Sequence, residues 1–152
     1  MKTIDFTALA RQNIRSLTAY EAKEIPCSIK LDANESPVAL PLMIDTELLN
    51  QLNRYPDPQG LSLKKALAKE HAVKPEQLLL GNGSDEIISY LITTFGGPVL
   101  YPIPTFSMYG ITAQILGQPW IGIPLQGDMQ LDYRKMVAAI RKLMPKVIFL
   151  ST

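Results

Sequence analysis

Leu78-Leu79-Leu80-Gly81-Asn82-Gly83-Ser84-Asp85-Glu86-Ile87-Ile88 is the stretch that decides how the rest of the chain is read. The three leucines predict a short buried strand at about 77–80. Gly-Asn-Gly then makes a tight turn, because glycine reaches positive φ without steric penalty. Ser84 is a good N-cap, and Asp85 and Glu86 suit the positive end of the helix that follows. A strand, a glycine turn and a helix N-terminus aim several backbone N–H groups at one spot, the geometry of an anion site. Taken alone, the same residues make an ordinary βα turn capped by Ser84. The flanking sequence is what shifts the balance.

Downstream the pattern is regular. A helix is expected over about 84–95, with Ile87, Ile88, Leu91, Ile92 and Phe95 inward. Strand Val99-Leu100-Tyr101 follows, then a helix near 106–116, strand Trp120-Ile121-Gly122-Ile123, and a helix near 132–143. That last helix carries Tyr133, Met136, Val137, Ile140 and Leu143 on one face, and Lys146-Val147-Ile148-Phe149-Leu150 is the final strand. Strands alternating with helices imply right-handed crossovers and an α/β fold, a mainly parallel sheet with helices on both faces.

Upstream the sequence is irregular. Phe6, Leu9, Ala10 and Ile14 have the spacing of a short amphipathic helix or arm over residues 5–15. Ile29-Lys30-Leu31-Asp32 predicts a brief strand running into the polar turn Ala33-Asn34-Glu35-Ser36-Pro37. Ile44, Leu48, Leu49 and Leu52 recur at helical spacing, and that helix must stop before Tyr55-Pro56-Asp57-Pro58-Gln59-Gly60. Leu63, Ala66 and Leu67 mark one face of the next helix. Ser62-Leu63-Lys64-Lys65 formally matches the Ser-x-x-Lys pattern of some acyl enzymes, but its companion motifs are absent, so it is a helix start with solvated lysines.

Composition narrows the classes of function. With 152 residues the chain can bury one real core. Its net charge of +1 comes from 15 basic and 14 acidic residues, the basic ones scattered, so neither nucleic acid nor an anionic membrane is called for. Cys27 is the only cysteine and His71 the only histidine, which removes a disulfide framework, Cys- or His-cluster metal sites and a Ser-His-Asp triad. The N-terminus lacks a continuous apolar leader and no segment is long enough to span a bilayer, so a cytoplasmic protein is expected.

Asp32-Ala33-Asn34-Glu35-Ser36-Pro37, Arg54-Tyr55-Pro56-Asp57-Pro58-Gln59-Gly60, Gly81-Asn82-Gly83-Ser84-Asp85-Glu86 and Tyr101-Pro102-Ile103-Pro104-Thr105-Phe106-Ser107-Met108-Tyr109 together resemble the histidinol-phosphate aminotransferase family, in its order and at about its spacing. The resemblance covers essentially the whole chain, as the N-terminal part of such an enzyme. It implies a fold-type I enzyme dependent on pyridoxal 5'-phosphate (PLP), working as a homodimer on a small amino-acid or phosphate substrate. Residues 1–40 would be an N-terminal arm and small-lobe segment, and residues 41–152 the PLP-binding large domain, truncated. Gly83, Ser84 and Asp85 would bind the cofactor phosphate, Phe106 would stack on the pyridine ring, and Tyr55 would reach the phosphate of the partner's cofactor. Tyr20 and Asn34 would lie near the substrate. Asp85 and Glu86 are themselves anions, so they fit only with their side chains turned away from the phosphate.

The Phe95-Gly96-Gly97-Pro98-Val99 connection is shorter than the family's usual loop, and the family's Pro-Asn-Asn-Pro-Thr-Gly loop would follow Ser151-Thr152. The Schiff-base lysine, the acid that pairs with the pyridine nitrogen and the carboxylate-binding arginine would lie beyond it. No catalytic residue is therefore nominated in this chain, which alone is expected to be inactive. The activity expected of the family member is transamination between histidinol phosphate and 2-oxoglutarate in histidine biosynthesis. A related aromatic or other amino-acid transaminase, a threonine-phosphate decarboxylase relative, or a non-catalytic phosphate-binding remnant are the alternatives.

Overall fold

The computed structural model describes residues 7–17, 26, 28–29, 36–38, 46–50 and 52–151. After a 3-10 turn at Thr7–Leu9 come helices α1 (Gln12–Arg15), α2 (Thr46–Leu49) and α3 (Leu61–Glu70), and a second 3-10 turn at Pro75–Gln77. The regular part follows: α4 (Ser84–Phe95), β1 (Val99–Ile103), α5 (Met108–Ile115), β2 (Trp120–Pro124), α6 (Tyr133–Leu143) and β3 (Val147–Ile148). Two compact units emerge, one of Met1–Thr18 with Leu79–Thr152 and the other of Ala19–Leu78.

In the first unit three parallel strands run in the order β2-β1-β3. β1 is central because both its faces are apolar. Val99 and Leu100 point to opposite faces and are both fully buried, as in strands of covered parallel sheets. Val99, Tyr101 and Val147 share one face with Ile88 and Ile92 of α4 and Ala113 of α5. The β2-to-β3 crossover runs back across β1, and right-handedness then puts α6, with its buried Met136, on the other face. The parallel α/β sheet expected from the alternation is thus present.

Several elements differ from their sequence expectation, each for a physical reason. Leu78–Leu80 forms no strand; Leu78 is extended, but Leu79 is 60% exposed, and an extended segment without a ladder partner is not a strand. The last strand pairs only at Val147 and Ile148 instead of over 146–150. Pro98 and Leu100 accept from Lys146 and Phe149, so alternate β1 residues face β3, and the next in that series is Pro102. Proline has no N–H to donate, so the ladder ends there. Along α4, Ile88 and Ile92 are buried, but Phe95 is 58% exposed where the chain turns away at Gly96. On α6, Tyr133 and Val137 are exposed, leaving Met136 as its buried residue.

The arm over residues 5–15 is not one helix but a 3-10 turn and the four-residue α1. Hydrogen bonds hold it in place: Arg11 donates to the Ile115 carbonyl (2.9 Å) and Asn13 to that of Gln114 (2.6 Å). These are carbonyls of the last turn of α5, where that of Gln114 also accepts from the Gly117 N–H. In the second unit α3 buries Ala68, with Lys64 and Leu67 half-buried, whereas Leu63 is 53% exposed. The inward stripe is 64, 67, 68, with the aliphatic stem of Lys64 taking a place expected for an apolar residue. Of the helix expected around 44–52, α2 is the described part, and the strand and turn expected over 29–37 fall largely outside the described residues.

Candidate functional site

In open α/β sheets ligands bind outside the carboxyl ends of the strands. The C-terminal end of α4 connects through Gly96, Gly97 and Pro98 to the amino end of β1. A helix of 12 residues is about 18 Å long, matching a five-residue strand, so the N-terminus of α4 lies toward the carboxyl edge. The turn before it uses its glycines differently. At Gly81 a Cβ would come within 2.6 Å of Ile87 Cδ1, so that side chain would have to shift to make room. Gly83 is in the left-handed region (φ 81°) and a Cβ there would meet nothing within 4 Å, so the space beside it is open.

Gly83, not Ser84, occupies the N-cap position; Ser84 is the first helical residue, and the N-cap itself offers no side-chain hydrogen bond to the helix. The positive φ that the turn requires forces this shift, because only glycine takes it without strain. The first-turn N–H groups have no acceptors within the helix. The acidic neighbours partly resolve their own conflict. Glu86 turns back along the turn, accepting from the Asn82 N–H and the Tyr90 hydroxyl. The Tyr90 hydroxyl foremost, and then the Asn82 N–H, hold the Glu86 carboxyl below the ordinary carboxylate range. Asp85 is exposed.

Phe106 lies in the loop between β1 and α5, at the same edge and in the same unit, and is 42% exposed. Its ring meets Tyr109 edge-on, with centroids 5.7 Å apart and planes at 87°. Tyr109 stacks on Phe149 (4.4 Å, 4°) and leans on Tyr101, which stacks on Trp120. Burial pushes the Tyr101 hydroxyl above its ordinary pKa. The Ser151 hydroxyl lies 3.0 Å from Thr105 Oγ1 and 3.2 Å from the Tyr109 hydroxyl, tying the loop after β1 to the segment after β3.

Tyr55 belongs to the other unit and its side chain is fully exposed. The loop that carries it is locked by Asp57, whose carboxylate accepts from the N–H groups of Leu61 (2.8 Å) and Gln59 (3.0 Å). These bonds, that of Leu61 first, hold the Asp57 carboxyl below its ordinary range. Tyr20 and Asn34 lie outside the described residues. Sequence reasoning missed the Thr105–Ser151–Tyr109 cluster, whose members come from segments more than 40 residues apart. It also missed the Glu86 and Asp57 locks, although Asp57 four residues before a helix start carried a usable capping signal. Among the described residues there is no group of three or more metal-ligating side chains, and no helix is long and apolar enough to cross a membrane.

Comparison with known proteins agrees with this architecture. Histidinol-phosphate aminotransferase from Aquifex aeolicus (strain VF5) is 40% identical over 142 residues, 88% of this chain and 40% of the relative. The enzyme of that name from Desulfitobacterium hafniense (strain Y51) is 42% identical over 148 residues, 90% of this chain and 41% of the relative. The chain thus spans about two fifths of the length of these curated relatives. Among solved structures, the Sinorhizobium meliloti histidinol-phosphate aminotransferase in complex with pyridoxal-5'-phosphate superposes with a TM-score of 0.62 at 20% identity, covering 69% of this chain and 29% of that one. The Clostridium acetobutylicum histidinol-phosphate aminotransferase gives 0.55 at 28% identity, covering 64% and 29%. These likenesses show the fold-type I aminotransferase architecture. The family profile described as aminotransferase class I and II matches residues 28–152, and the chain belongs to that family.

Proposed function

We propose that this chain supplies part of the cofactor site of a PLP-dependent transaminase that moves an amino group between histidinol phosphate and 2-oxoglutarate in histidine biosynthesis. The observation that carries the reading is the identity of about 40% to histidinol-phosphate aminotransferases across nearly the whole chain. The residues present fit the cofactor. An uncapped helix start beside an open, left-handed glycine suits a phosphate, and a half-exposed aromatic at the same sheet edge suits a pyridine ring.

In this reading the N–H groups of Gly83, Ser84 and Asp85 hold the phosphate, and the Glu86 carboxylate stays clear of it because Asn82 and Tyr90 already hold it. Phe106 orients the ring by contact with its face and excludes water from that side. Tyr55 reaches the phosphate in the partner subunit of a homodimer, and Tyr20 and Asn34 line the substrate side. Residues 1–40 are the arm and small-lobe segment, and residues 41–152 belong to the PLP-binding large domain. When bound, PLP supplies the electron sink that lets a C–H bond of the amino substrate break. No lysine here stands in the family's Schiff-base context, so the 152-residue polypeptide by itself holds cofactor only noncovalently and does not transaminate.

A chimera tests the reading. This chain replaces the matching N-terminal two fifths of the Aquifex aeolicus relative, and the product is assayed with histidinol phosphate and 2-oxoglutarate. Turnover is expected in the chimera and not in the 152-residue chain, and borohydride reduction with PLP should mark one lysine, outside this chain. A folded chimera without turnover, or a stoichiometric pyridoxyl-lysine within the 152 residues, contradicts the proposal.

A further inference from the structure

We propose that Tyr109 is a positioning residue that sets the orientation of the Phe106 ring, and that Ser151 in turn anchors Tyr109. The inference rests on the reading of Phe106 as the ring that contacts the cofactor, and it adds residues that reading does not use. Phe106 is 42% exposed and sits in a loop, so nothing intrinsic to the loop fixes its ring. Its ring partner is Tyr109, met edge to face at 5.7 Å, the arrangement that aromatic quadrupoles prefer.

Tyr109 is itself held on three sides. Its ring lies flat on Phe149 at 4.4 Å and tilted against the buried Tyr101 at 6.0 Å. Its hydroxyl is 3.2 Å from Ser151 Oγ, which also meets Thr105 Oγ1, the residue immediately before Phe106. Rotating Tyr109 would break the Phe149 stack and the Ser151 contact together. Thr105 and Tyr109 therefore flank Phe106 along the chain and converge on one hydroxyl from the segment after β3. That geometry transmits the position of the β3 end to the exposed ring.

The test follows the Phe106 ring in the full chain by NMR with labelled phenylalanine, and separately the affinities for PLP and for inorganic phosphate. Tyr109→Leu is expected to move the Phe106 ring signals toward those of a freely rotating, solvated phenylalanine. It should weaken PLP binding roughly fivefold, the scale of one aromatic pair, while phosphate binding and the amide signals of Gly83–Asp85 stay as in the parent. Tyr109→Phe keeps the ring contacts but loses the Ser151 contact, so it should shift the Phe106 signals in the same direction by less and hold PLP affinity within roughly twofold of the parent. Ser151→Ala, at an exposed position that leaves the core intact, should shift the Phe106 signals in the same direction by less. Phe106 signals unchanged in Tyr109→Leu overturn the proposal. So does a parallel loss of phosphate and PLP affinity, which marks general loosening. If Tyr109→Leu does not fold, unchanged Phe106 signals in Ser151→Ala overturn it instead. A parent chain that binds no PLP removes the cofactor reading, and the ring signals then decide the positioning by themselves.

Discussion

Among their described residues, the two compact units are stabilised by different means. In the unit built on Leu79–Thr152, β1 is buried on both faces and Ile92, Val99 and Leu100 have essentially no exposure. In the unit of Ala19–Leu78, Ala68 is the buried side chain among the described residues, while Leu52 (77%), Leu61 (46%) and Leu63 (53%) face outward. What orders that second unit locally is hydrogen bonding. Asp57 ties the start of α3, and Lys74 and Gln77 close the following 3-10 turn. Among the described residues, apolar burial thus dominates in one unit and capping in the other, and substitutions at these positions should act in different ways.

The largest effect is expected in the sheet. Leu100→Ala should cost about 2–5 kcal/mol of unfolding free energy, because a fully buried side chain leaves a cavity on its removal. Leu63→Ala, on the exposed face of α3, should stay within about 0.5 kcal/mol. Chemical denaturation of both variants measures the contrast, and equal losses would break the comparison. Next in size is Gly110→Ala. A Cβ there would collide with the Tyr101 hydroxyl, which packs against the α5 backbone. The cost of such overpacking is about 1–3 kcal/mol, despite the better helix propensity of alanine. A gain in stability would show that Tyr101 can move aside freely.

The smallest effect concerns the capped unit and is electrostatic. The Asp57 carboxyl is held below its ordinary range of about 3.9, first by the Leu61 N–H and then by that of Gln59. Its contribution is therefore complete above that ordinary value and is lost as pH falls through the lower folded value. The amide signals of Gln59 and Leu61 should hold steady from neutral pH to about pH 4 and move only below it. Asp57→Ala should abolish that transition and leave the β1 amides untouched. A transition well above the ordinary carboxylate value would show that the lock is not the one described.

The same contrast governs what was legible in the sequence. The α/β order was readable because burial imposes periodicity, and α4, β1, α5, β2 and α6 fall close to where Ile, Val and Leu placed them. In α3 the inward stripe was displaced onto Lys64, Leu67 and Ala68, because the aliphatic stem of a lysine took a place that a count of apolar residues does not mark. The shortened β3 depends on Pro102 in another strand and on which side of β1 that proline faces, a property of the assembled ladder. At the site, the glycine turn and the helix start were visible from local chemistry. The capping role passed from Ser84 to Gly83 because backbone φ outranked the side-chain preference. The hydroxyl contacts of Ser151 with Thr105 and Tyr109 come from long-range folding and left no local pattern.

The central claim is that the α4 start and Phe106 together form one cofactor site. Titrating the labelled chain with PLP, with inorganic phosphate as a parallel arm, tests it most directly. The amides of Gly83, Ser84 and Asp85 should respond to both ligands. The Phe106 ring should respond to PLP alone, with the same midpoint as the amides. If PLP moves the amides and the ring with different midpoints, or moves neither while shifts spread evenly along the chain, the two features do not form one site.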